Sequence, residues 1–217
     1  MAALLFFFKN GTMSKFLNEK MVFAGILLLS CGIVVAFLFD LNPLVKTRPE
    51  DRSLNQLFVD MGVEIFPNGT PPLDFSLPDL SGADVAISGY RGKVVLLNFW
   101  ATWCPTCVVE MPSMEKLHLK LKDKNFALVT VSIQDSALQV KRFFLMNKLT
   151  FTALLDLSGK TVPVFGIREI PTTLILDKTG KVVGRVIGSR EWDSRESVAM
   201  FENLIGETWT ESSERSS

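Results

Sequence analysis

The stretch from Val94 to Ile133 constrains the fold more than any other part of this 217-residue chain. Val94-Val95-Leu96-Leu97-Asn98-Phe99 is apolar apart from Asn98, as expected of a strand buried on both faces. Phe126-Ala127-Leu128-Val129-Thr130-Val131-Ser132-Ile133 repeats that character. Between the two runs, from Cys104 to Leu121, Cys107, Met111, Met114, Leu117 and Leu121 recur at helical spacing. Strand, helix, strand predicts a parallel crossover unit and hence an α/β domain.

The rest of the domain is read outward from that unit. Ser136 to Asn147 predicts a second helix, and Ala153-Leu154-Leu155 a short strand. Thr172–Leu176 and Lys181–Ile187 flank Asp177-Lys178-Thr179-Gly180, a hairpin turn with glycine where a positive φ is needed. A helix from Glu191 to Ile205 closes the domain. The expectation is a central mixed sheet with a terminal hairpin and helices on both faces.

Ahead of this domain the composition changes. Met21 to Phe39 carries no charge across its 19 residues, close to the roughly 20 that span a bilayer's hydrocarbon core. It is read as one transmembrane anchor, after an N-terminal tail at 1–20. A cleaved signal peptide would have a shorter apolar region and a small-x-small site. Leu28-Leu29-Ser30-Cys31-Gly32 loosely matches a lipoprotein cleavage box, against which the apolar run continues past Cys31. Lys9, Lys15 and Lys20 before the run balance Lys46, Arg48 and Arg52 after it, so flanking charge sets no orientation. Met13 is an alternative start. Residues 40–71 read as a linker with a helical turn or two in Ser53–Phe66, 72–206 as the folded domain, and 207–217 as a polar tail. With 23 basic and 23 acidic residues, no basic stripe points to nucleic acid.

The chemistry sits in Asn98–Pro112, NFWATWCPTCVVEMP. Cys104 and Cys107 stand where the apolar run ends and the helix begins, with Pro105 suited to the first helical turn. The free N–H groups and dipole there stabilise an anion, which makes Cys104 the attacking thiolate and Cys107 the resolving thiol. A metal site needs about four ligands, and beyond this pair the domain offers only His118, read as a solvent-facing or rim residue. A permanent structural disulfide closing so short a loop constrains the unfolded chain little. A reversible redox couple is the reading adopted, with no bound metal or cofactor. Trp100 is read as core, Trp103 as part of the rim around the disulfide, and Pro112 as a helix kink.

NFWATWCPTC followed by Glu110 and Pro112 resembles the membrane-tethered thioredoxin-like proteins of the ResA, TlpA and CcmG (DsbE) type, and Pro105-Thr106 is similar to the CcmG branch. The likeness takes in LDFSLPDLSG, YRGKVVLLNFW and GIREIPTTLILDKTGKV, from about Pro72 to Ile205. It implies a thioredoxin-like fold and a cis Ile170–Pro171 bond beside the cysteines, with the Ile170 backbone pairing with a bound peptide. Thioredoxin's buried aspartate is replaced here by Asn98, and Glu110 takes the position of the family's acidic residue, which would exchange a proton with Cys107. A first-turn glutamate complementing the helix dipole is the alternative.

The resemblance further implies a protein disulfide reductase held in the bacterial cytoplasmic membrane, its domain facing the periplasm or exterior. Its targets would include apocytochrome c haem-binding cysteines, and its electrons would come from a membrane thiol donor of the DsbD or CcdA type. A TlpA-like reductant for oxidase copper-site assembly is an alternative. Strong oxidants carry a histidine before the second cysteine, where this chain has Thr106. Peroxiredoxins share the approach to the site but need Thr or Ser three residues before the reactive cysteine, and Ala101 stands there. Copper chaperones of the Sco type place three residues between their cysteines and use a distant histidine, which this chain lacks after His118.

Overall fold

A computed structural model describes residues 48–66, 70–71 and 74–206. The apolar run 21–39, its flanking tail, Cys31, Met13 and the polar tail 207–217 lie outside the described residues. Among those described, no helix is long and apolar enough to cross a membrane.

Part of the expected linker belongs to the domain. A 3-10 turn at Pro49–Asp51 leads to α1 (Leu54–Asp60), whose start is capped by Ser53 Oγ accepting from Gln56 N–H. Leu54, Leu57 and Phe58 fall at i, i+3 and i+4 on one helix face and are buried, as are Met61 and Val63 beyond it. The chain then forms β1 (Glu64–Ile65), which pairs antiparallel with a sheet edge. Asp60, Gly62 and Glu64, which suggest a linker, lie on the outer side of a strap whose Leu54, Leu57, Phe58, Met61 and Val63 enter the core.

A hairpin follows, β2 (Ser76–Pro78) and β3 (Asp84–Ala86). Then come β4 (Val94–Trp100), α2 (Pro105–Leu121), β5 (Phe126–Ile133), α3 (Ala137–Asn147) and β6 (Thr152–Asp156). The one-turn α4 (Thr161–Val164), β7 (Thr172–Leu176), β8 (Val182–Ile187) and α5 (Arg195–Gly206) complete the chain as described. The main sheet has the order β1-β8-β7-β4-β5-β6. β4, β5 and β6 run parallel, while β7, β8 and β1 are added antiparallel.

Alternation along β4 divides the core. Val94, Leu96 and Trp100 face a layer built with apolar residues of α1, α2, α3 and α5. Val95, Leu97 and Phe99 face Leu77 of the hairpin, Ile87 and Ile167, with Val162 and Phe165 around α4. Helices lie on both faces, as expected, but unequally. The longer helices share one face, because the two successive right-handed crossovers β4-α2-β5 and β5-α3-β6 advance in the same direction across the sheet. The hairpin and α4 cover the other.

Two local features explain the boundaries. Asp177 Oδ1 accepts from Thr179 N–H, Thr179 Oγ1–H and Lys181 N–H, and Gly180 at φ +83° closes the β7–β8 turn. The last helix begins at Arg195 rather than Glu191, since Ser194 Oγ accepts from Ser197 N–H and leaves Trp192 in the preceding loop.

Candidate active site

β4 carries the chain to the edge where the parallel strands end, and α2 starts there. Cys104 is the N-cap of α2 and Pro105 its first residue. Cys104 and Cys107 are joined as a disulfide with Cα atoms 5.3 Å apart. Cys107 is fully buried, and Cys104 is 5% exposed. Cys104 Sγ accepts from Cys107 N–H at 3.2 Å and lies 3.4 Å from Thr106 Oγ1. These donors, added to the helix N-terminus, favour negative charge on that sulfur after reduction. The Ile170 carbonyl oxygen lies 3.8 Å from the same sulfur and favours the opposite, protonated form.

The Ile170–Pro171 bond is cis, as the resemblance implied. Beside it a cleft of about 380 Å³ is lined by Gly166, Arg168, Glu169, Thr172, Arg185 and Ile187. Trp103 stands 61% exposed immediately before the disulfide, whereas Trp100 is buried against Phe143 and Phe144. α2 continues through the exposed Pro112 to Leu121. His118 is half-buried rather than solvent-facing, its ring edge-on to Phe151, and burial pushes its pKa down.

Glu110, one turn beyond Cys107, is only 2% exposed. Its Oε1 accepts from Asn98 Nδ2 at 2.9 Å, and its Oε2 accepts from Trp192 Nε1–H at 2.9 Å and Arg190 N–H at 3.1 Å. Burial pushes the Glu110 carboxyl up to about 7, against those donors and the Arg190 charge, which pull it down. The simple first-turn, dipole-complementing role does not describe a side chain so enclosed.

Two further contributors were not apparent from the sequence. Trp192 lies in the loop before the last helix rather than in the helix, and its indole seals Glu110. Asp135, 1% exposed in the β5–α3 loop, accepts from Thr102 N–H and Thr102 Oγ1–H, both at 2.7 Å, and from Ser132 Oγ–H at 2.7 Å. It thereby fixes the chain two residues before Cys104. Its distance from the cysteines along the chain hid it; an acidic residue just past a buried strand end was the available signal.

The AhpC/TSA family model matches residues 69–185. The thiol-disulfide oxidoreductase ResA of Bacillus thuringiensis subsp. konkukian is 33% identical over 117 residues, 54% of this chain and 68% of the relative. ResA of Geobacillus thermodenitrificans is 36% identical over 121 residues, 56% and 70% respectively. The chain belongs to the ResA-type thiol–disulfide oxidoreductases of the AhpC/TSA family.

Solved structures agree. A thiol:disulfide interchange protein assigned as DsbE from Chlorobium tepidum superposes with TM-score 0.58 at 32% identity, covering 64% of this chain and 97% of that one. StoA from Bacillus subtilis gives 0.52 at 28%, covering 60% and 97%. Within this ResA-type chain, Cys104 and Cys107 are the CxxC pair and are joined as a disulfide. Ala101, three residues before Cys104, leaves the peroxiredoxin alternative without its hydroxyl.

Proposed function

We propose that this ResA-type oxidoreductase is a reductant of protein disulfides on the outer side of the bacterial cytoplasmic membrane. The observation that carries the reading is the Cys104–Cys107 disulfide at the N-terminus of α2, with Cys104 Sγ facing the cis Ile170–Pro171 turn. In the reduced protein, Cys104 thiolate attacks a target disulfide, forming a mixed disulfide and expelling one target thiolate. Cys107 then attacks Cys104 Sγ, releasing the second target thiolate. The protein ends oxidised by two electrons and the target reduced by two. Glu110 takes the proton that Cys107 gives up, because it is the buried carboxyl one helical turn away and its pKa lies near neutrality.

Two features around Cys104 support this direction. Strong oxidants stabilise their reduced form. Here the neighbour between the cysteines is an uncharged hydroxyl, and the Ile170 carbonyl disfavours the thiolate. Trp103, Ile170, Pro171 and the cleft beside them form the surface on which a target peptide lies, its backbone paired with Ile170.

The uncharged run Met21–Phe39 supports a single-pass anchor. The similarity of Cys104-Pro105-Thr106-Cys107 to the CcmG branch supports apocytochrome c haem-site cysteines as the target, with re-reduction by a membrane thiol donor of the DsbD or CcdA type. The test is to incubate reduced full-length Cys107→Ala protein with an oxidised apocytochrome c. A stable mixed disulfide through Cys104 is expected. A failure to accumulate it, with the wild-type protein leaving that substrate oxidised, would remove the assignment.

A further inference from the structure

Asn98 is an amide at the centre of a strand otherwise built for the core. It is fully buried, between Leu97 and Phe99, and it shares a face with Leu96 and Trp100. A buried amide is costly unless both ends are bonded. Only one end is. Nδ2 donates to Glu110 Oε1 and to Thr173 Oγ1, both at 2.9 Å, while Oδ1 has no partner among the described residues.

The arrangement suits the ionised form of Glu110 and fails the neutral one. Oε2 already receives Trp192 Nε1–H and Arg190 N–H, so an added proton belongs on Oε1. That O–H needs an acceptor, and the Asn98 NH2 beside it offers none. Rotating the Asn98 amide by half a turn about its Cβ–Cγ bond exchanges its two ends. Oδ1 then stands where Nδ2 stood and has two lone pairs for the two hydroxyls it faces, Glu110 Oε1–H and Thr173 Oγ1–H.

We propose that Asn98 is a positioning residue for Glu110 whose amide donates to the carboxylate and, after rotating by half a turn, accepts from the acid. Asn98 thus gives each protonation state a partner without moving the strand. The inference rests on the proton role assigned to Glu110 above. The groups around that carboxyl are Asn98 on β4, itself bonded to Thr173 on β7, and Arg190 and Trp192 in the β8–α5 loop. Arg190 carries the charge among them, and Cys107 is the titratable neighbour on α2 once reduced.

The Glu110→Gln substitution offers a fixed reference. The Gln carbonyl oxygen is required at the position receiving Trp192 Nε1–H and Arg190 N–H, which turns its NH2 toward Asn98. Asn98 must then present Oδ1 at every pH.

The experiment is NMR of the oxidised full chain in detergent micelles, with labelled Asn, Thr and Glu, between about pH 5 and 9. It follows the Glu110 carboxyl carbon together with the nuclear Overhauser contacts from the Asn98 Nδ2 protons. Contacts to the Thr173 and Glu110 side chains are expected at high pH, lost at low pH with the midpoint of the Glu110 titration. In the Glu110→Gln protein they are expected to be absent throughout. Contacts that persist while Glu110 titrates, or that persist in Glu110→Gln, would overturn the rotation and leave the proton role standing. A Glu110 carbon that does not titrate in that range would overturn both.

Discussion

Replacing Glu110 by Gln removes a buried ionisation, and the consequence for stability can be worked out. In the folded protein the Glu110 carboxyl titrates near 7, against an ordinary value of 4.5. The folded state therefore holds this proton more tightly than the unfolded state. The associated stability is fully present below pH 4.5 and is lost as pH rises through the folded value near 7. The gap of about 2.5 units, at about 1.4 kcal/mol per unit, amounts to about 3 kcal/mol. Glu110→Gln has no such dependence. Relative to wild type, it is expected to gain about 3 kcal/mol of stability between pH 4.5 and the plateau above 7. Urea unfolding of the oxidised full chains in micelles, at a series of pH values, measures the difference, and the intact disulfide keeps the cysteines from titrating. A wild-type-minus-variant difference that stays constant to within about 0.5 kcal/mol across that range, or that changes with the opposite sign, would refute a buried carboxyl with a raised pKa.

The same variant should slow disulfide exchange near neutral pH by roughly 100-fold, the lower end of the usual range for a lost acid or base, as stopped-flow tryptophan fluorescence would register. An unchanged rate and Cys107 titration would remove Glu110 from the proton path. Phe58→Ala in the strap should cost about 3–5 kcal/mol in denaturant unfolding, since Phe58 is fully buried; a loss below about 1 kcal/mol would mean the strap does not belong to the core. Asp135→Ala should cost about 1–3 kcal/mol by leaving the Thr102 and Ser132 donors unpaired. It should also alter the rate of Cys104 alkylation, and an unchanged rate would confine Asp135 to a purely structural role.

What the sequence disclosed follows from the range of each interaction. β4, β5 and the β7–β8 hairpin are local patterns of apolar runs and a turn with glycine, and they stand out in any window of a few residues. The cysteine pair is equally local. The strap was obscured because Leu54, Leu57, Phe58, Met61 and Val63 are interleaved with charge and glycine, and their burial depends on α5 and β8, far along the chain. The hairpin β2–β3 has three-residue strands, too short to show a period. The environment of Glu110 is the most non-local feature: its partners Asn98, Arg190 and Trp192 lie 12, 80 and 82 residues away. Sequence marked Glu110 by its spacing from Cys107, while its enclosure and its indole partner required the fold. In the sequence Asn98 stands out only as a missing aspartate, and in the fold its amide is bonded to the carboxyl of Glu110.

The reduction potential of the Cys104–Cys107 couple tests the central claim most directly. The full chain in micelles would be equilibrated against dithiothreitol or glutathione buffers and its thiols trapped and counted. A value near thioredoxin's, roughly −270 mV, is expected for a reductant kept poised by a membrane donor. A value near roughly −120 mV would make the protein a disulfide donor and contradict the direction assigned to it.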